Sequence, residues 1–406
     1  MKINGILCLI PLLLMLAGCE KGSDNQLVIR LYGDALEDVA YSIAEADGDI
    51  VIAGQRSVIT RRDGNYIESY EKNAGLIKAG PAGLQKWQIT PGGNQADNAN
   101  KVFVLPSGDI LITGYTTLGE TDSQHTDIYI VKTAADGTVL WESVIGGSGN
   151  QVAYDIMPKQ GGGFMIAGTT DAYRAESGSF SENIAGMTDF LLLHISESGD
   201  SVASYAFGYG GNDICASIKR DIGGGYVLFG TTDNSSEPGL DKNNLLLIRL
   251  NEDSSNRGAA IVGDLTDEYG ADFEVLPNGY LLAATIGKEN ESNLIGLMKL
   301  STNIQAQPVF YKKHSINALP STVNALAAGA GGTWYLGGRI GSPLSSDMLI
   351  IKVDSDGDLS GSGFISGGSG SQEIFDLFLS ESGFLLAAGK TGYENNSMMC
   401  LLKLKY

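Results

Sequence analysis

Histidine is nearly missing from these 406 residues: there are three, and no two have metal-ligand spacing. No HExxH occurs, so a His-based zinc centre is not expected. Proline is scarce at 10, which excludes collagen-like chains and Pro-rich linkers. Basic residues are in short supply, 27 against 47 acids, for a net charge of -20. Nucleic acid and anionic membrane surfaces are therefore poor partners. Beyond the N-terminus no stretch stays apolar for the roughly 20 residues of a spanning helix. No GxSxG elbow occurs. Glycine runs such as Gly146–Gly149 and Gly161–Gly163 are not followed by helical periodicity, so no helix N-terminus stands ready for a phosphate. Cysteine numbers four. Cys8 and Cys19 belong to the N-terminal segment. Cys215 and Cys400 fall in distant repeats, which predicts two buried free thiols and no disulfide.

Glycine, by contrast, numbers 55, and hydrophobic residues make up 43% of the chain, which excludes wholesale disorder. The chain opens with Lys2 and an apolar stretch from Ile6 to Ala17, the pattern of a secretory signal peptide. Its end, Leu16-Ala17-Gly18-Cys19, resembles the bacterial lipobox. The resemblance implies cleavage before Cys19 and acylation of that cysteine. Residues 1–18 are then the signal, 19–26 the lipidated Cys and a polar tether, and 27–406 a single domain. The lipid would be the sole membrane attachment, and the location the cell envelope: the outer membrane, facing the periplasm or the surface.

The body repeats. Second strands such as Asp49–Gly54, Asp109–Gly114, Gly163–Gly168 and Gly225–Gly230 end at Gly54, Gly114, Gly168, Gly230, Ala284, Gly338 and Gly389, 51 to 62 residues apart. A second register is basic: Lys78, Lys132, His194, Arg249, Lys299, Lys352 and Lys403. Seven units of four short strands, without helical periodicity, predict an all-β, seven-bladed propeller. The seventh unit stops at its third strand, residues 398–406, while Gln26–Tyr32 is an orphan strand ahead of the first unit. The orphan is expected to complete blade seven and close the ring, because an open ring exposes strand edges.

The unit Gly146–Ile156, Gly161–Thr170, Asp189–Asp200 resembles the bacterial beta-propeller repeat of secreted and surface proteins, and the likeness runs from Leu27 to Tyr406. It implies a fold and no particular reaction. Trp87 and Trp141 resemble the outer-strand Trp of quinoprotein-type propellers, but two such blades do not imply a quinone. The general build also resembles lipoprotein propellers that scaffold outer-membrane barrel assembly.

The repeated basic residue reads as architecture, its stem covering apolar surface and its head reaching solvent or an acid. Asp354-Ser355-Asp356-Gly357-Asp358 is the one calcium-like stretch, yet it falls where other units have a hairpin turn. Connections between strands two and three vary most. Those of units one (about 55–73) and three (about 171–187) carry Arg61, Arg62, Tyr66, Tyr70, Tyr173, Arg174 and Phe180. Loops on a rigid scaffold are where recognition resides, and Tyr and Arg favour interfaces. The expectation is a monomeric, non-catalytic module that binds an envelope protein or a glycan through this face, without cofactor. The alternative is a surface polysaccharide- or peptide-processing enzyme using Asp155, Asp272 and Asp376 at the channel. A third reading is an assembly scaffold.

Overall fold

In the computed structural model the described residues are 27–405, less 64–65, 94, 120–123, 148, 172–187, 234–241, 265, 288–292, 362 and 394–395. The signal segment, Cys19 and the tether thus lie outside them. Twenty-eight strands form seven four-stranded antiparallel sheets. The helical content among the described residues is one 3-10 turn, Ala330–Gly332. Each sheet is a blade. The inner strands are Val39–Ala46, Asp97–Val104, Gln151–Pro158, Asp213–Arg220, Glu268–Leu276, Ser321–Ala328 and Gln372–Leu379.

Burial follows position within the blade. Second and third strands are covered on both faces by neighbouring blades, so they read as unbroken apolar runs. Phe164–Thr170 is buried throughout. Outer strands are covered on one face only, and Val139–Ile145 alternates between exposed and half-buried. The core consists of seven apolar clusters, one between each pair of adjacent blades. An isolated blade would expose both faces of its second strand, so the ring is stable only as a whole.

The orphan strand Val28–Leu36 pairs with Asn396–Lys405 and is the outer strand of blade seven. Tyr32 is its anchor: it is buried in the cluster between blades seven and one, and its hydroxyl donates to Gly83 O at 2.8 Å. Residues from the two ends of the described chain thus meet in one sheet, and blade seven has the same four strands as the other six.

Six glycines are explained by one geometric event. Every inner strand carries a β-bulge, at Tyr41, Asn100, Tyr154, Ala216, Ala271, Asn324 and Phe375. The bulge brings an inner-strand carbonyl over the end of strand two. A β-carbon on Gly54, Gly114, Gly168, Gly230, Gly338 or Gly389 would lie 1.9 to 2.1 Å from that oxygen. Blade five has Ala284 there, and its partner across the ladder is a glycine, Gly270.

Five of the seven residues of the basic register make architectural contacts. Lys78 and Lys132 face Asp49 and Asp109, Arg249 pairs with Asp221 at 2.8 Å, and Lys352 and Lys403 lie over Tyr335 and Phe384. Several heads also reach the next blade: Lys78 donates to Ala135 O, Arg249 to Thr302 O and Lys403 to Pro81 O. Trp87 and Trp141 pack beneath the turn glycines of the following blades, Gly137 and Gly199. Cys215 and Cys400 are free and buried. Burial pushes the Cys400 thiol up to about 12, so it stays protonated.

Candidate functional site

The seven bulged residues share one destination. All line a cavity of about 520 Å³ on the ring axis. A bulge turns one extra side chain out of the sheet, and on an inner strand the free direction is the channel. Tyr41 and Phe375 meet with ring centroids 5.1 Å apart, tilted at 59°. Tyr154 and Tyr269 are 36% and 38% exposed. Asn100 and Asn324 add amides. Asn100 is fixed by Asn98 at 2.9 Å and by Ala153 O at 2.8 Å. Asn324 donates to Glu373 Oε1 and Ile374 O, which leaves its own amide oxygen for another donor. Glu373 also stands 3.4 Å from Arg339 and 3.8 Å from Lys390. Burial pushes the Tyr41 phenol up to about 12, so it enters any interaction neutral.

The cavity lies toward the starts of the inner strands, because Ile214, Tyr269, Thr322 and Glu373 precede the bulges and line it. The connections between strands two and three project from this same end. The cavity, hereafter the funnel, therefore lies at the long-loop end of the ring.

Its floor is charged. The residues after the bulges include Lys101, Asp155, Asp272 and Asp376. One oxygen of each carboxylate accepts the N–H of its own following residue: Ile156, Phe273 and Leu377. The other accepts an N–H from the next blade, Ile218, Leu326 and Ile43, at 3.0 to 3.1 Å. Ser217 and Ser42 hydroxyls reinforce two of these ties, at 2.8 and 2.7 Å. Lys101 crosses the channel to Asp376 at 3.2 Å, and Lys219 donates to Glu274 at 2.8 Å. Burial works against the Lys101 ammonium, yet Asp376, Asp155 and Asp272 together push its pKa up. Burial raises the Asp155 carboxyl against the pull of Lys101 and its donors. These acids join blades, and all six of their oxygens already have donors.

The expected loop residues are scattered. The stretch 55–73 is not a loop: Asp49–Asp63 and Tyr66–Ala79 pair as one long hairpin as far as Asp63 and Tyr66. Strands that leave the ring lose the cover of the neighbouring blade, so their apolar stripe ends although pairing continues. Arg61 is exposed near the tip and pairs with Glu68 at 2.6 Å. Tyr70 is half-buried and donates to Glu37 Oε1 at 3.1 Å. The side chains of Arg62 and Tyr66, and all of Tyr173, Arg174 and Phe180, lie outside the described residues. Asp354-Ser355-Asp356-Gly357-Asp358 is a hairpin turn: Asp354 Oδ1 accepts the N–H groups of Asp356 and Asp358 at 3.0 Å, and Asp358 faces Lys312.

Sequence reasoning missed the funnel. The signal was present as the variable slot before Ser42, Lys101, Asp155, Ser217, Asp272, Ala325 and Asp376, where Tyr, Asn, Ala and Phe interchange between otherwise regular units.

No protein family and no curated relative matches the chain by sequence. Solved structures resemble it in shape. One is a protein of unknown function from Dyadobacter fermentans, 10% identical over 93% of this chain and 97% of that one, TM-score 0.49. Another is Chaetomium thermophilum Sqt1 bound to the N-terminus of the ribosomal protein L10, 11% identical over 92% and 98%, TM-score 0.48. A third is a puromycin hydrolase S511A mutant complexed with PGG, 13% identical over 87% and 58%, TM-score 0.44. Likeness this distant carries no argument about what this chain binds.

Proposed function

We propose that the protein is a binding module of the bacterial cell envelope, held to the membrane by a lipid on Cys19. Its partner is a protein segment or a glycan chain, and it is received at the funnel and the loops around it. One observation carries this reading. Four aromatic rings and two amides surround an open cavity whose floor acids are already spent on joining blades. Aromatic faces give contact area at small entropic cost, and the amides orient a polar partner. The same floor argues against the hydrolytic reading, because a general acid or base needs a carboxyl free to exchange a proton with substrate.

The test is a screen of oligosaccharide and peptide arrays with the soluble Cys19→Ser protein. Any ligand found is titrated against Tyr154→Ala and Tyr269→Ala. Both rings are partly exposed, so each variant should keep its melting temperature and lose affinity about tenfold. Unchanged affinity in both would remove the funnel as the site. The blade-one hairpin is tested in parallel with Arg61→Ala and Tyr70→Phe.

A further inference from the structure

Four of the seven corners between blades pair the first residue of an inner strand with a residue of the preceding blade's third strand, five positions before the repeated basic residue. Around Gly146 and Gly147 these are Gln151 and Asp127. Around Gly263 they are Glu268 and Asn244, and around Gly367 Gln372 and Asp347. The equivalent residues ahead of blade two are Asp97 and Asn73. Each of these corners carries one carboxylate and one amide. The order of the two swaps from corner to corner, while the total stays at one acid.

The corner between blades three and four departs from that rule. Asp189 and Asp213 are both acids, and a β-carbon on Gly208 would lie 2.1 Å from Asp189 Oδ1 and 2.4 Å from Asp213 Oδ2. Asp213 is fully buried and Asp189 is 6% exposed. Asp213 Oδ2 accepts the Tyr209 N–H at 2.5 Å, and Thr232 supports the same carboxylate. Its Oδ1 is buried without a partner. The other charged group acting on the pair, among the described residues, is a third acid, Asp233. Two buried carboxylates against the same glycine, with no cation beside them among the described residues, cannot both ionise cheaply.

We propose that Asp189 and Asp213 hold a single proton between them in the folded protein, and that this proton joins the third strand of blade three to the inner strand of blade four. The N–H of Asp213 donates to Thr188 O at 2.7 Å, and the next residue, Ile214, lines the funnel. Burial first, then the Asp213 charge, raises Asp189 from 3.8 to about 6. A raised carboxyl stabilises the fold at low pH, and that stabilisation is lost as pH climbs from the unfolded value through the folded one. Above about pH 6 the corner therefore carries an uncompensated second charge. This inference stands apart from the identity of any ligand.

Melting temperatures of the full-length chain and of Asp189→Asn, in chelator at pH 5 and pH 8, test it. The variant gives this corner the one-acid, one-amide composition of those four. It should match the parent at pH 5 and exceed it by a few degrees at pH 8. Asp213→Asn should do the same more weakly, because the Tyr209 N–H then meets an amide oxygen. In parallel, a protonated-carboxyl infrared band should fade between pH 5 and pH 8 in the parent and be weaker at pH 5 in either variant. An equal offset at both pH values, or an unchanged infrared titration in both variants, overturns the proposal. So does a rise in the parent's melting temperature on adding calcium at pH 8 that exceeds the rise on acidification, which would assign the corner to a cation.

Discussion

Asp376 of blade seven accepts a 2.7 Å hydrogen bond from the Ser42 hydroxyl of blade one, although the two residues are 334 positions apart in the chain. The same oxygen takes the Ile43 N–H at 3.1 Å and the Lys101 ammonium at 3.2 Å. It thus ties the first and last inner strands across the point where the ring closes, and anchors the charge that spans the channel.

Asp376→Ala removes all of these at once in a buried setting. The expected loss is about 2–4 kcal/mol of unfolding free energy, because backbone donors and Lys101 are left short of an acceptor. Ser42→Ala removes a single neutral donor and should cost about 1 kcal/mol. Denaturant unfolding of both variants decides it. Equal costs would show that the carboxylate is not the tie described.

The bulge makes a sharper prediction about glycine. A β-carbon on Gly114 would sit 2.0 Å from Asn98 O, a backbone atom that cannot move without breaking the ladder. One on Gly147 would meet nothing within 4 Å. Gly114→Ala should therefore lower stability by more than about 2 kcal/mol, and Gly147→Ala should change it by less than about 0.5. Thermal melts of the two proteins read the difference directly.

These glycines also show how far the chain could be read before its structure. The strand-two glycines and the basic register gave seven blades, and the orphan strand before blade one was placed correctly in blade seven. Those features recur, and recurrence is visible in a sequence. The funnel was hidden because a bulge depends on which inner-strand residue slips out of register, and that is decided by packing against the opposite strand. The acids Asp155, Asp272 and Asp376 were visible, but their partners Ile218, Leu326 and Ile43 are backbone groups of another blade. The hairpin 55–73 read as a loop because polar residues fill strands that lack a neighbouring blade.

Glu268 gives a pH test of its own. Burial, with Asp264 adding its charge, raises its carboxyl from 4.5 to about 7. Its contribution to stability is fully present below about pH 4.5 and lost as pH rises through about 7. Glu268→Gln copies the residue of blades three and seven, Gln151 and Gln372. It should be more stable than the parent by about 1–3 kcal/mol at pH 8 and near parity at pH 5. Denaturant unfolding at the two pH values would contradict this if the difference did not change.

The most direct measurement of the account is site-specific photo-crosslinking in the native envelope. A benzophenone side chain placed at Ala271 lies in the funnel, while one at Val202, 57% exposed on an outer strand, samples the flank of the ring. A discrete adduct is expected from position 271, competed away by excess soluble propeller, and none from position 202. An adduct from position 202 with nothing from position 271 would place the partner on the flank and contradict a funnel-centred binding module.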